Sequence, residues 1–174
     1  MTPQEKLRRF DEHISPHLGA AYNLALWLTR NHEDAEDIVQ EAFVRAFSAL
    51  DSLRGYDAKP WLLAIVRNTC ITRLKRDRNF PTIGLEEEFM DPSEPSPDPE
   101  EALLISSDRE QVRKALEQIP SDFREAIVLR ELEGLSYKEI ATTVGVPVGT
   151  VMSRLSRGRD WLKRVLSISR KESA

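Results

Sequence analysis

The sequence predicts an all-α protein in which two small helical domains are joined by an extended acidic linker. Apolar residues recur at spacings of three and four along most of the chain, as they do on one face of an α-helix. No segment alternates apolar and polar residues over the length of a strand, so we expect no sheet. Prolines and acidic residues are concentrated in the middle of the chain. We therefore predict domains over residues 1–80 and 108–174, and a linker over residues 81–107.

The composition narrows the class of protein. With 40% hydrophobic and 31% charged residues, the chain of 174 residues is neither wholly disordered nor collagen-like. The single cysteine, Cys70, cannot form an internal disulfide. No apolar run approaches the roughly 18 residues of a membrane span, and the first residues lack the apolar stretch of a signal peptide. We expect a cytoplasmic protein that does not insert into a membrane.

The charge is distributed unevenly. The whole chain carries a formal net charge of −4, which argues against a protein that coats nucleic acid through a basic surface. The predicted linker alone holds eight acidic residues, no basic residue and five prolines, whereas residues 1–80 have a net charge of +1 and residues 108–174 of +3. Proline and mutual repulsion both favour an extended chain. A solvated spacer is the simplest interpretation, and the end of this segment can also begin the next helix.

Three helical segments are predicted in the first domain. The first has an apolar face that Pro16 kinks or divides, made by Leu7, Phe10, Ile14, Leu18, Ala21, Ala25 and Leu28. The second covers about residues 33–50, and Gly55 closes it with a turn. The third begins near Pro60, a good first-turn residue, and Cys70 lies on its apolar side as a small core residue.

Four helices are predicted in the second domain. The first ends before Pro120, and Ser121 or Asp122 caps the second, which Gly134 stops. A short third helix ends at Gly145, and Pro147 opens the last one.

The last two helices have the pattern of a helix-turn-helix. Ala141 is the small residue at a close crossing, Gly145 allows a tight turn, and Val151 is an apolar anchor on the second helix. If Val151, Leu155 and Leu162 face inward, the opposite surface shows Met152, Ser153, Ser156 and Arg157. Such a surface can enter the major groove of DNA. A helical hairpin with ordinary packing is the alternative.

At these motifs the chain resembles the extracytoplasmic-function, or group IV, sigma factors of bacterial RNA polymerase. DAEDIVQEAFVRAFSALDSLRG and WLLAIVRNTCITRLKR resemble the family's region 2, which binds the polymerase and melts the −10 element. FREAIVLRELEGLSYKEIATTVGVPVGTVMSRLSRGR resembles region 4, which binds the −35 element. The resemblance covers nearly the whole chain and implies a region 2 helix bundle followed by a region 4 helix-turn-helix.

The resemblance implies a polymerase-binding surface on the second helix. Its predicted members are Asp34, Asp37, Gln40 and Glu41, of which the acidic ones share a helix face. Their implied partner is the β′ clamp helices of core RNA polymerase, and the β flap is a second implied contact. For Asp34 an alternative is simple stabilisation of the helix N-terminus.

The third helix is implied to bind the opened −10 strand. Asn68 matches the position that captures a flipped base, since its amide can both donate and accept hydrogen bonds. The other predicted members of this site are Arg67, Trp61, Arg73, Lys75 and Arg76. The alternatives are an asparagine on an exposed helix flank, basic residues that favour a helix C-terminus, and a tryptophan in the core.

The last helix is implied to bind the −35 element through Thr150, Met152, Ser153, Arg154, Ser156 and Arg157. Some relatives carry arginine at the position of Met152 and an aromatic residue at that of Ser156, so no −35 consensus is transferred to this chain. Arg157 is the strongest candidate for a base or phosphate contact, and Arg159 adds positive charge.

The predicted function is that of an alternative sigma factor, which directs core polymerase to promoters, opens them and is held inactive by an anti-sigma protein. We expect no cofactor, no metal and no active site in the chain itself, because it has no phosphate loop, serine elbow or Cys/His cluster. One alternative is a conventional helix-turn-helix regulator that binds operator DNA without polymerase. Another is a pure interaction adaptor.

Overall fold

The computed structural model describes residues 1–55, 57–77 and 109–172. Within these ranges the chain is helical, with no strand. It divides into two compact units, Met1–Pro92 with Lys138–Gly145, and Ser93–Tyr137 with Val146–Ala174. The predicted linker over residues 81–107 lies outside the described residues, and the predicted domain boundaries stay a prediction. None of the described helices has both the length and the apolar character that a membrane span requires.

Pro16 divides the first helical segment in two, as one of the two sequence interpretations has it. Helix α1 spans Pro3–His13, a 3-10 turn follows at Ser15–His17, and α2 spans Leu18–Thr29. Thr2 caps α1, because its side chain accepts from the Glu5 amide while the Glu5 carboxylate accepts from the Thr2 amide. Of the predicted apolar face, Leu7 and Leu18 are exposed and do not enter the core. The division shifts the helical phase at Pro16, so one continuous stripe cannot stay buried.

The core of the first unit lies between α2, α3 and α4. Helix α3 spans His32–Ser48 and α4 spans Ala58–Asp77, and Gly55 between them has a φ of 70°. The amide oxygen of Asn31 accepts from the Asp34 amide and so caps α3. Cys70 is fully buried, as predicted. The core residues contributed by α3 and α4 are Ala35, Ile38, Val39, Ala42, Ala46, Leu62, Leu63, Val66, Thr69 and Cys70.

Aromatic rings join α1 to α3. Phe10 lies edge-on against Phe43 and Phe47, with ring centroids 5.7 Å and 5.5 Å apart. The ammonium group of Lys6 lies 4.9 Å from the centre of the Phe47 ring. These contacts hold the half-buried side of α1 on the α3 surface, although no residue of α1 is fully buried.

Helices also make up the described part of the second half of the chain. Residues 109–117 form α5. Helix α6 spans Ser121–Ile127 and continues as a π-helix over Val128–Leu132, α7 spans Tyr137–Val144, and α8 spans Val148–Glu172. Gly134 and Gly145 end helical segments with φ values of 71° and 79°, as their predicted stop positions require.

The predicted cap of α6 is wrong. Pro120 occupies the N-cap position, and no side chain caps the helix there. Instead the Pro120 carbonyl accepts from the amides of Phe123 and Arg124, at 3.0 Å each. Ser121 and Asp122 are already helical and lie one and two positions beyond the N-cap, so they do not serve as caps.

Candidate functional site

The predicted acidic surface on α3 is present at the protein surface. Asp37, Gln40 and Glu41 are exposed, and Asp34 is half-buried in the first turn. The row is set by the opposite face of the same helix, where Ala35, Ile38, Val39 and Ala42 enter the core. Glu41 accepts from Arg45 at 2.7 Å, an exposed pair one turn apart. An exposed pair of this kind contributes little to stability, so Glu41 can exchange its partner readily.

Asp37 links two of the predicted sites. Its Oδ2 lies 3.4 Å from Nη2 of Arg73 on α4, and the Asp37 side chain is 60% exposed whereas that of Arg73 is 23% exposed. Arg73 was predicted on the DNA-binding surface and Asp37 on the polymerase-binding surface. In the structure the Arg73 guanidinium lies beside the acidic row on α3. Asp37 therefore partly neutralises the positive charge that Arg73 was predicted to offer to DNA.

Asn68 lies on the exposed side of α4. Buried residues flank it in sequence, with Val66 before it and Thr69 and Cys70 after it, and Asn68 faces away from them. Thr72, Lys75 and Arg76 continue the same exposed row towards the end of the helix. Asn68 thus lies on an exposed flank of the helix, which was the alternative interpretation of the sequence. This position also leaves its side-chain amide accessible to a ligand.

The remaining predicted members of the α4 surface are less exposed. Trp61 and Arg67 are both half-buried. Trp61 lies seven residues before Asn68, two turns earlier on the same side of the helix.

The predicted reading surface of α8 faces outward. Val151 and Leu155 are buried, and Met152, Ser153, Ser156 and Arg157 are exposed. Thr150 and Arg154 are half-buried at the margin of this surface. Met152 is 53% exposed, although methionine is a good core residue, so its side chain is available to a partner. Leu162, predicted to face inward, is half-buried.

Arg159 is held by neighbours in the same unit. Its Nη2 donates to Oε1 of Glu131, in the π-helical turn, at 3.0 Å. The pKa of the Arg159 guanidinium is raised above its ordinary value. The largest cause is hydrogen bonding to Glu131, and the next is hydrogen bonding to Tyr137. Arg130 lies over the Tyr137 ring at 4.9 Å and donates to the Leu135 carbonyl at 2.9 Å. We call Arg130, Glu131, Tyr137 and Arg159 the π-turn cluster.

Two features of this region were missed from the sequence. The π-turn cluster joins residues up to 29 positions apart, and no local pattern identifies Glu131 as the partner of Arg159. Gly158 marks a close approach of α8 to α6, because a Cβ there would lie 2.6 Å from Cδ1 of Ile127. A glycine inside a helical pattern was the available signal for that approach.

The described residues hold no group of three or more His, Cys, Asp or Glu side chains that could bind a metal ion. His13 is exposed, and His17 is half-buried in the 3-10 turn.

Family models match both halves of the chain. Residues 13–80 match the model of Sigma-70 region 2, and residues 109–162 match that of Sigma-70, region 4. The exposed rows on α3 and α4 lie in the first match, and the α8 surface lies in the second.

The ECF RNA polymerase sigma-E factor of Escherichia coli is 40% identical over 135 residues, covering 73% of this chain and 71% of that protein. The ECF RNA polymerase sigma factor SigE of Mycolicibacterium smegmatis is 34% identical over 98% of this chain, which spans 66% of the relative's length. The sigma factor RpoE of Bartonella quintana, solved in complex with the anti-sigma factor NepR, has a TM-score of 0.74 and 30% identity, covering 91% of this chain and 97% of that one. The chain therefore belongs to the extracytoplasmic-function sigma factors of RNA polymerase.

Proposed function

We propose that this protein binds core RNA polymerase, directs it to a promoter and opens the promoter for transcription initiation. The observation that carries the proposal is the pair of sigma region matches in their family order, with exposed polar rows on α3, α4 and α8. Catalysis then belongs to the polymerase and not to this chain, and the place of action is the cytoplasm.

The acidic row on α3 is the proposed polymerase-binding surface. Asp34, Asp37, Gln40 and Glu41 supply carboxylates and an amide, which suit an arginine-rich partner such as the β′ clamp helices. Val44 lies one turn beyond Glu41 and is 67% exposed, so it can add apolar contact to the same row. The second domain is proposed to contact the β flap.

The exposed row of α4 is the proposed site for the opened −10 strand. Asn68 holds the edge of a flipped base through its amide, and the Trp61 ring offers a stacking surface on the same side of the helix. Lys75 and Arg76 bind phosphates, with Arg67 and Arg73 beside them.

The exposed surface of α8 is the proposed −35 reader. Arg157 is exposed at its centre, with Ser153 and Ser156 beside it as shorter hydrogen-bonding groups. Met152 offers a thioether and methylenes, which suit an apolar contact such as a thymine methyl group. Thr150 and Arg154 lie at its margin.

An anti-sigma protein is the proposed regulator. The Bartonella quintana neighbour is an RpoE bound to NepR, an anti-sigma factor. By analogy, an anti-sigma protein would bind this chain on the polymerase-facing surfaces and so compete with core polymerase.

Run-off transcription with purified core polymerase tests the proposal, on a promoter selected from a random DNA library by the reconstituted holoenzyme. We expect specific initiation that depends on this protein. A conventional regulator would instead bind duplex DNA without polymerase and support no initiation, and that result would contradict the proposal.

Asn68→Ala tests the opening step. We expect at least a tenfold loss of initiation on duplex promoters, with recovery on a template that is already open around the −10 element, because the flipped base no longer has its hydrogen-bonding partner. Asn23→Ala is the matched control, since Asn23 is an exposed asparagine on α2, away from the α4 row. Equal activity of the two variants would remove Asn68 from the mechanism.

A further inference from the structure

We propose that Arg159 is a positioning residue of the DNA-reading helix rather than one of its DNA contacts. It fixes α8 on the π-helical turn through Glu131 and Tyr137, and Arg157 presents the charge that meets DNA. This inference rests on the proposed role of α8 in −35 binding. It assigns different tasks to two arginines that lie two residues apart in one motif.

The first observation is the position of Arg159 on the helix. Arg157 is exposed, and the structure shows no partner for it among the described residues. The Arg159 side chain is 43% exposed and donates at 3.0 Å to Glu131, which is 55% exposed, so the expected contribution of this pair is modest. Two residues correspond to about 200° around an α-helix, so the two side chains leave α8 on nearly opposite sides. One α8 surface faces outward with Arg157, and Arg159 points back to the π-helical turn.

The second observation is that a tyrosine lies beside the ion pair. Arg159 donates to the Glu131 carboxylate at 3.0 Å, and hydrogen bonding to the Tyr137 side chain is the second cause, after Glu131, of the raised pKa of the Arg159 guanidinium. A planar guanidinium can donate in two directions with fixed geometry, which an ammonium group on a flexible stem cannot reproduce. The arrangement therefore depends on the shape of arginine as well as on its charge.

The third observation is that the partners are themselves held. Tyr137 lies under the guanidinium of Arg130, which also donates to the carbonyl of Leu135. Glu131 lies in the π-helix Val128–Leu132, and the Leu135 amide just beyond it donates to the Leu129 carbonyl at 3.0 Å. Arg159 thus connects α8 to a turn that has its own hydrogen bonds, which is what a positioning contact requires.

Substitutions on both sides of the pair separate a positioning role from DNA contact. The assay measures binding of the full-length protein to a mixed-sequence 30-base-pair duplex at low salt, followed by a salt titration. Arg159→Lys keeps the charge but loses the two-directional fork. We expect two- to fivefold weaker binding with an unchanged salt slope. If Arg159 bound phosphate, the lysine variant would bind almost as well as the original protein, and that result would overturn the proposal.

Glu131→Gln should change DNA affinity in different directions depending on whether Arg159 contacts DNA or positions α8. A DNA contact would be released by the loss of its acidic partner, so binding would strengthen. A positioning residue loses its anchor, so we expect binding no tighter than in the original protein. Asp160→Asn is the charge-matched control, because Asp160 is exposed beside Arg159 on α8 and its loss also removes one negative charge. A gain from Glu131→Gln equal to that from Asp160→Asn would overturn the proposal.

Arg157→Ala reports separately on the proposed function. A phosphate contact there would lower the salt slope by about 0.9, and a base contact would lower affinity for a selected promoter. If Arg157→Ala changed neither quantity, the proposed DNA-binding role of α8 would fail, and the positioning role would fail with it. If Arg157→Ala weakens binding while Arg159→Lys has no effect, only the positioning role fails. Thermal unfolding of each variant confirms that binding is compared between folded proteins.

Discussion

At the scale of single residues, Asp37 combines an exposed carboxylate with a long contact to Arg73. The contact is 3.4 Å and Asp37 is 60% exposed, so the pair is weak and leaves the carboxylate accessible to a basic partner. We predict that Asp37→Lys weakens binding to core polymerase at least tenfold, because it opposes the partner's charge and repels Arg73. Competition binding against an unmodified sigma factor measures the loss.

The control for that substitution lies on the same helix. Glu36 is exposed next to Asp37 but points about 100° away around α3. Glu36→Lys makes the same change in charge and should alter core binding by less than threefold. Similar losses in the two variants would indicate a general electrostatic effect and would contradict a specific surface at Asp37.

We expect His17 to make the stability of the first unit depend on pH. Burial, and then the nearby Lys59, lower the pKa of its imidazole below the ordinary value of 6.5, and Asp57 opposes them. The unfolded chain therefore binds this proton more readily than the folded one. The folded state therefore keeps its full stability at a pH above the pKa that His17 has in the unfolded chain. It loses stability as the pH falls below that value towards the lower pKa that His17 has in the folded protein.

The expected result is a melting temperature that rises between pH 5 and pH 7.5, roughly the range around an ordinary histidine pKa, with a smaller rise in His17→Gln. His13→Gln is the control, because His13 is an exposed histidine four residues earlier. Thermal unfolding followed by circular dichroism measures both. An equal rise in the two variants would show that other groups cause the dependence.

Residue types in a pattern predicted which side chains reach the surface, but not which neighbours they have. The exposed row of Met152, Ser153, Ser156 and Arg157 follows from helical periodicity around the buried Val151 and Leu155. The partners of Arg73 and Arg159 could not be predicted, because Asp37 and Glu131 lie 36 and 28 residues away in sequence. Only the packing of two helices brings such pairs together.

At the scale of helices, α8 approaches α6 closely at Gly158. A Cβ at this position would lie 2.6 Å from Cδ1 of Ile127 and 3.3 Å from Cβ of Phe123. Overpacking of this kind costs about 1–3 kcal/mol, whereas alanine is favoured over glycine in a helix by about 1 kcal/mol. We predict that Gly158→Ala lowers the free energy of unfolding by about 1 kcal/mol.

Gly149 is the matched control for this substitution. It lies on the same helix, and a Cβ there would meet nothing within 4 Å. Gly149→Ala should therefore leave stability unchanged or raise it slightly. Chemical denaturation of both variants gives the comparison, and equal stability would show that Ile127 moves aside without cost.

The ends of helices could be predicted from the sequence where a single proline or glycine causes the break. Pro16, Gly55, Gly134 and Gly145 interrupt the helical pattern, and the structure places breaks or positive φ values at these positions. The cap of α6 was not predictable in the same way. Ser121 and Asp122 are both good capping residues, but the choice depends on where the chain leaves α5, and that exit makes Pro120 the N-cap.

At the scale of the whole chain, acidic charge is concentrated in the predicted linker. Residues 81–107 hold eight acidic residues and no basic one, whereas residues 1–80 and 108–174 have net charges of +1 and +3. We expect the two predicted domains to carry the basic character that DNA binding needs, and the acidic segment to lower the attraction of the free protein for DNA. Polymerase binding would then be needed for tight promoter binding.

The acidic segment also offers a test of the whole molecule during initiation. In the family that this chain resembles, the connector runs through the polymerase towards the RNA exit path, and we infer that acidic residues there can imitate nucleic acid. We predict that neutralising Glu86, Glu87, Glu88 and Asp91 to their amides changes the ratio of abortive to full-length RNA at least twofold while core binding is retained. The control neutralises four exposed acids on helices, Glu12, Glu36, Asp51 and Asp122. Gel analysis of initial transcripts measures the ratio. The two variants have linkers of the same length and differ in the charge of the linker. If they give the same ratio, the acidic charge has no role and the segment acts only as a spacer.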